Sequence, residues 1–333
     1  MKKTSLLAIL ATVLLTGCQQ TEDFENTNEK LPIQIEASIG SSITISGRYA
    51  GEEPNIISFA QNDNIGLFVN GENHSKWTYN GSRWEQNGST INWTDKTSNH
   101  NFQAFYPYTE SATITSIPMP DLSEQDGTMN IVASKDFLVA TKTQNYGIDG
   151  TVSFTDKNSF THVSSLLSIT IKGQEDLASA TIENIQIKGD NIATPSTYTF
   201  ETETSVNLSD NKAEQINELA ATVSRNMNGE DQTFYFVVNS ETVKLANVEL
   251  IVEYSFTDGD NKDLYKANII GLNKNENSNE KFDKGKQYCY TLKIQDRTLI
   301  ISGNSITNWE DGETIGEIVV NGSKQEQTNN ENS

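Results

Sequence analysis

Ala180-Thr181-Ile182-Glu183-Asn184-Ile185-Gln186-Ile187, followed by Gly189-Asp190-Asn191, sets the architecture expected of the whole chain. Ala180, Ile182, Ile185 and Ile187 are interleaved with polar residues, and turn formers close the run. Successive side chains of a strand point to opposite faces, so this pattern describes a half-buried β-strand that ends in a turn. The same period begins near Leu31. Ile33, Ile35, Ala37 and Ile39 alternate with polar residues, and Ile43 and Ile45 follow Gly40. Pro32 is tolerable there because the first residue of a strand need not donate to the ladder. Further alternating or apolar runs lie at 65–69, 102–106, 131–133, 137–140, 166–171, 233–238, 248–256, 264–269, 288–294 and 299–301. Between them stand Asn70-Gly71, Asn80-Gly81, Asn87-Gly88, Asp149-Gly150, Asp258-Gly259 and Asp311-Gly312. Asn-Gly and Asp-Gly favour tight hairpins because both residues tolerate positive φ. Many short strands at such spacing predict an all-β fold of sandwich type.

One stretch departs from period two. Within residues 212–227, Ile216, Leu219, Ala220, Val223 and Met227 recur every three to four positions, with Gly229 as a stop. That spacing predicts one short helix in the second half.

The chain has 333 residues, long enough for two domains of ordinary size. The best boundary is near 156–160, which divides it into sandwiches at 31–157 and 158–320. Lys plus Arg number 24 against 45 Asp plus Glu, a net charge of −21. Such a polyanion has no electrostatic reason to approach nucleic acid, so nucleic-acid binding is excluded. Hydrophobic residues are only 35% of the chain, which suits thin, well-solvated β-architectures better than a large enzyme core.

Lys2 and Lys3 precede an apolar run at 6–15, and Leu15-Thr16-Gly17-Cys18 follows. The run is about half the roughly 20 residues that a membrane-spanning helix needs. Residues 1–17 therefore look like a bacterial lipoprotein signal, with Cys18 as the lipidated residue. The alternative is an ordinary secretory signal with a chance cysteine. Residues 18–30 are expected to be a flexible tether. Its acidic cluster, Glu22, Asp23 and Glu25, resembles a surface-export signal of Bacteroidetes lipoproteins. The expected location is the outer membrane, exposed at the surface. Lipid on Cys18 would leave Cys289 as the single thiol, so no intramolecular disulfide is expected. Cys289 alternates with Tyr288 and Tyr290 and is expected to be a packed core thiol.

No Gly-rich phosphate loop, Gly-x-Ser-x-Gly elbow or His-Glu-x-x-His occurs. Asp258-Gly259-Asp260-Asn261-Lys262-Asp263 has closely spaced carboxylates. However, the calcium loop of an EF-hand needs Gly at its sixth position and Glu at its twelfth, and Asp263 and Ile269 stand there. It reads as a solvated hairpin tip. No enzyme activity, cofactor or metal is expected. Aromatic residues cluster in the first half, among them Trp77, Trp84 and Trp93. They have two readings: stacking on sugars, or cross-strand pairing in a hairpin.

Several motifs together resemble the fimbrillin family of Bacteroidetes. Phe59-x-x-x-Asp63-x-Ile65-Gly66-Leu67-Phe68 comes first. Trp77-Thr78-Tyr79-Asn80-Gly81-Ser82-x-Trp84, Trp93 and Phe102-x-Ala104-Phe105-Tyr106-Pro107 follow. Asp136-Phe137-Leu138-Val139-Ala140 and Phe160-Thr161-His162-Val163-Ser164-Ser165-Leu166 continue the order. Phe282-x-Lys284-Gly285-x-x-Tyr288 and Ser305-Ile306-x-x-Trp309-x-x-Gly312 close it. The resemblance implies two tandem transthyretin-like Greek-key β-sandwiches. It implies a structural and adhesive fimbrial component, whether stalk, anchor or tip. Its partners would be other fimbrial subunits, the outer membrane through a lipid anchor, and a host or bacterial surface receptor. It also implies removal of an N-terminal strand after a basic residue, with a neighbouring subunit's strand filling the vacated groove.

By that resemblance Arg48, in Ser46-Gly47-Arg48-Tyr49, is the candidate processing site; the alternative is an exposed loop arginine. The candidate donor strand is Thr314-Ile315-Gly316-Glu317-Ile318-Val319-Val320, with Ile315, Ile318 and Val319 as the residues to be buried; alternatively it is the last strand of its own domain. Residues 321–333 are polar and expected to be disordered. The competing function is a glycan-binding surface lipoprotein of a polysaccharide-uptake system, with Trp77, Trp84 and Trp93 as contacts.

Overall fold

A computed structural model describes residues 31–40 and 58–308, except 73, 174–178, 208–214, 259–260, 272–279 and 296–297. The first half contains β1 (Gln34–Ala37), β2 (Asn64–Val69), β3 (Ser75–Tyr79), β4 (Trp84–Asn87), β5 (His100–Tyr106) and β6 (Ile117–Pro118). Helix α1 (Met129–Lys135), β7 (Leu138–Gln144), β8 (Thr151–Phe154) and β9 (Thr161–His162) complete it. A six-stranded sheet runs in the order β4-β3-β2-β5-β7-β9, and β1 pairs with β8 in a separate two-stranded sheet. Their facing side chains, including Ile33, Ile35, Ile65, Leu67, Trp77, Phe102, Val152 and Phe154, form one core.

The hairpin read at Asn80-Gly81 joins β3 to β4, with Gly81 at φ 97°. At the end of β2, Asn70 and Gly71 both take positive φ, 53° and 74°. Ile65-Gly66-Leu67-Phe68 is apolar without alternation because both faces of this sheet are covered. Ile65 and Leu67 enter the first core, whereas Phe68 enters another with Phe105, Phe137, Val163, Tyr198 and Phe200.

The second half contains β10 (Ser165–Lys172), β11 (Ala180–Lys188), β12 (Ser196–Thr199), β13 (Thr204–Asn207) and β14 (Glu218–Asn226). Then come β15 (Gln232–Val238), β16 (Glu249–Asp258), β17 (Asn261–Ile270), β18 (Lys286–Gln295) and β19 (Thr298–Asn308). Two four-stranded sheets, β15-β10-β18-β19 and β14-β11-β16-β17, enclose the largest core. A third sheet, β13-β12-β6, pairs a strand of the first half with strands of the second. The described residues are all-β apart from α1 and short 3-10 turns. Two sandwiches with non-sequential strand order agree with the fold that the resemblance implies.

Three local expectations need correction. The helix read within residues 212–227 is a strand in its described part: β14 alternates, with Leu219 and Ala221 buried. Its antiparallel ladder to β11 satisfies the backbone and outweighs the three-to-four spacing. Residues 131–133, read as strand-like, lie instead in α1, whose Val132 is fully buried in the largest core. Cys289 is half-buried rather than packed in the core: β18 turns Tyr288, Tyr290 and Leu292 inward and Cys289 to the other face. Of the carboxylate cluster at 258–263, Gly259 and Asp260 lie outside the described residues; Asp258 and Asn261 close the β16–β17 pairing.

Candidate functional site

Segment 31–40 crosses the first sandwich and is held by three separate stretches of chain. Residues 34–37 of β1 run parallel to β8, with Gln34 opposite Thr151 and Ala37 opposite Phe154. On the other side Ile33 N–H donates to Ile91 O at 3.1 Å, and Trp93 N–H donates to Leu31 O at 2.8 Å. Beyond β1, Phe160 N–H donates to Ser38 O and Gly40 N–H donates to Phe160 O, each at 2.9 Å. Ile33 and Ile35 are buried, Ala37 and Ile39 pack partly against the same core, and Gln34 and Glu36 face outward. Full burial of each isoleucine contributes about 1.5–3 kcal/mol. The main-chain bonds are indifferent to side chains, so it is the apolar residues at alternate positions that fit β1 to this slot.

The walls of the slot are rigid for identifiable reasons. Trp93 Nε1–H donates to Gly150 O at 3.0 Å. Its ring meets His100 and Phe102 with centroids 5.1 Å away in each case. Gly150 takes φ +78°, and a Cβ there would lie 2.6 Å from the Tyr146 ring, so the turn read at Asp149-Gly150 requires glycine. Asp95 steers the chain away from Trp93. Its Oδ1 accepts the N–H of Ser98 at 2.6 Å and of Thr97 at 2.7 Å. Those bonds, the Ser98 N–H foremost, hold the carboxyl down at about 2. Its folded value lies below the ordinary 3.8. The stability that it adds is therefore present above 3.8 and lost as pH falls towards 2. An NMR titration should place the Asp95 carboxyl midpoint near 2; a midpoint at the ordinary aspartate value would mean that the turn does not hold it.

The motif Phe59-x-x-x-Asp63 has a structural explanation. Asp63 Oδ2 accepts the Ala60 N–H at 2.7 Å and closes a turn. Phe59 thereby returns to the core, with its ring edge-on to Trp84 at 5.0 Å and to Phe160 at 5.2 Å. Gly40 and Phe59, which flank residues 41–57, thus both meet Phe160. Periodicity gives no signal for this role of Phe160, because Gly40 and Phe59 are more than a hundred residues away in sequence.

Of the site residues read from sequence, Cys18, Arg48, Ile315, Ile318 and Val319 lie outside the described residues, as do the tether and the tail. Trp77, Trp84 and Trp93 come together in the first core, with exposures of 3%, 7% and 4%. Tyr79 and Trp84 are direct cross-strand partners with rings 5.2 Å apart. Core packing is what these rings do, with Trp84 alone of the three in a cross-strand aromatic pair: burial leaves no indole face open to a glycan. Among the described residues, no three or more His, Cys, Asp or Glu side chains are grouped to hold a metal ion. No described helix is long and apolar enough to cross a membrane.

The description fimbrillin-like matches residues 50–309. The chain belongs to the fimbrillin-like family. That family is structural rather than enzymatic. The matched region contains β2–β19 up to Asn308 and leaves out β1. This fimbrillin-like chain is 30% identical over 212 residues to Fim1C of Bacteroides uniformis, a proposed fimbrium subunit. The similarity covers 60% of this chain and 65% of that relative. A crystal structure of a proposed cell adhesion protein from Bacteroides uniformis superposes with a TM-score of 0.58 at 19% identity, covering 84% of this chain and 99% of its own. One from Bacteroides ovatus gives a TM-score of 0.60 at 15% identity, covering 84% and 98%. At these identities the two crystal structures establish the shared fold alone.

Proposed function

We propose that this fimbrillin-like chain is a structural and adhesive component of surface fimbriae, as stalk, anchor or tip subunit. Lipid on Cys18 holds it at the outer membrane, facing outward. Cleavage after Arg48 frees β1, and a strand of a neighbouring subunit takes its place. The observation that carries this reading is the seat of β1: residues 31–40 lie outside the family match, yet their side chains complete the first core, whose other members lie within the match.

The alternation of the slot also chooses a register for the donor. Ile33 and Ile35 point inward, and Gln34 and Glu36 point out. Paired as a donor strand, residues 314–320 would set Ile315, Glu317 and Val319 on one face and Gly316, Ile318 and Val320 on the other. Burying Glu317 without a partner would be strongly unfavourable. Ile318 and Val320 therefore enter the slot, and Ile315 and Val319 stay on the outer face.

Trypsin treatment followed by mild denaturant should remove residues up to Arg48 and yield oligomers that survive dilution. An aspartate at Ile318 or Val320 should abolish these oligomers, and an aspartate at Ile315 should not. Monomers that persist after mass spectrometry confirms loss of β1 would rule out strand exchange. Membrane fractionation of Cys18→Ala in a lipidating host tests the anchor separately: the variant should leave the membrane.

A further inference from the structure

β15 lies at the edge of its sheet, with β10 on one side only. An exposed edge offers unpaired N–H and C=O groups to any other strand. Here those groups are occupied by partners that are not strands. Val237 N–H donates to Gln125 Oε1 at 2.8 Å, and Val237 O accepts from Gln125 Nε2 at 2.8 Å. The side-chain amide of Gln125 thus pairs with one residue as a neighbouring strand would. Tyr235 N–H donates to Gly127 O at 2.9 Å. Thr233 O accepts from Arg225 Nη1 at 3.1 Å, and the Arg225 guanidinium lies 4.5 Å over the Phe234 ring.

Gln125 and Gly127 belong to residues 121–135, a compact segment contributed by the first half of the chain. Leu122 and Val132 anchor it in the largest core, at exposures of 3% and 0%. Lys135 Nζ donates to Asp121 O at 2.6 Å and closes its base. Gly127 takes φ +74°, and a Cβ there would press on Phe234 at 3.3 Å. The segment therefore lies close against the edge that it covers.

The covered strand is also well suited to pair with itself. Thr233-Phe234-Tyr235-Phe236-Val237-Val238 has no charge, proline or glycine and consists of β-branched and aromatic residues. Six-residue segments of this composition are the ones that stack edge to edge. A two-fold antiparallel pairing centred on Tyr235 sets Thr233 of one copy against Val237 of the other and opposes no like charges.

We propose that residues 121–135 are an intramolecular plug that keeps the β15 edge from pairing with the β15 edge of a second copy. Gln125 is its key residue and Arg225 guards the end. The plug stands independently of strand exchange in the first sandwich; where both operate, it restricts association to the β1 slot.

Gln125→Ala tests this in the full chain. The Val237 amide should exchange about tenfold faster than in the parent protein, and a concentration-dependent dimer should form. Gln125→Glu still accepts from Val237 N–H but cannot donate to Val237 O, and it places a charge at the edge. Its Val237 amide should exchange faster while the protein stays monomeric. Lys135→Ala loosens the same plug at its exposed base and serves if Gln125→Ala does not fold. It should also accelerate Val237 exchange and form dimers at higher concentration. Unchanged Val237 exchange overturns the proposal, as does fast exchange in Gln125→Ala or Lys135→Ala with a monomer at the highest soluble concentration.

Discussion

Replacing Phe160 with alanine is expected to lower the stability of the first sandwich by about 3–5 kcal/mol and to loosen the end of β1. The Phe160 ring is fully buried. It lies edge-on to Phe59 at 5.2 Å and to Phe154 at 5.7 Å. Phe59 follows residues 41–57, and Phe154 is the partner of Ala37 in the parallel ladder. The ring therefore fills the space between the two anchors of that stretch, while its own main chain bonds Ser38 and Gly40. Truncation leaves a cavity where β1 leaves the core, and the backbone bonds there lose their support. Tryptophan fluorescence is the natural probe, because Trp77, Trp84 and Trp93 all report from this core. Denaturant unfolding should show the loss, and the Gly40 amide should exchange faster. A loss below about 1 kcal/mol with unchanged Gly40 exchange would remove Phe160 as the anchor of β1.

Gly66→Val is expected to be of similar severity, for the opposite reason. Gly66 stands directly opposite Phe105 in the β2–β5 ladder. A Cβ on Gly66 would lie 2.1 Å from Phe105 Cε1 and 2.2 Å from its Cζ. The Phe105 ring covers the glycine and has no room to withdraw, because Phe68 lies at 5.6 Å, His74 at 5.7 Å and Tyr108 at 6.5 Å. Valine must expel the ring or spread the two strands. Overpacking and the loss of a buried phenylalanine contact together suggest about 3–5 kcal/mol. Gly88→Ala is the control. Nothing lies within 4 Å of its added Cβ, so only its positive φ opposes the change. That variant should lose about 1–2 kcal/mol. If Gly66→Val unfolds at the same denaturant concentration as Gly88→Ala, the packing of Phe105 over Gly66 is not tight.

The corrected features share a cause: each depends on contacts distant in sequence. Ile216, Leu219, Ala220, Val223 and Met227 carry a helical spacing, but β11 pairs with Glu218–Asn226, and Leu219 and Ala221 meet the core through that ladder. Met129–Lys135 carries little helical signal of its own and becomes α1 where Val132 reaches the core of the second sandwich. Trp77, Trp84 and Trp93 read as a hairpin cluster in preference to a sugar platform, and their burial decides for packing. Arg48 and the donor segment were legible as candidates from resemblance alone, because a loop arginine and a short apolar run have no local pattern that distinguishes their roles.

The all-β character, the turns at Asn70-Gly71, Asn80-Gly81 and Asp149-Gly150, the polyanionic charge and the family motifs were legible in residue order. All are local or additive properties: side-chain period, positive-φ tolerance, net charge and motif order do not depend on which strands meet. That β1 lies parallel to β8, that Phe160 bonds the chain at its end, and that Gln125 closes the edge of β15 emerge from the folded arrangement alone. Those facts come from main-chain hydrogen bonds between distant segments. Such bonds leave little imprint on residue identity, because any residue but proline supplies the same donor and acceptor.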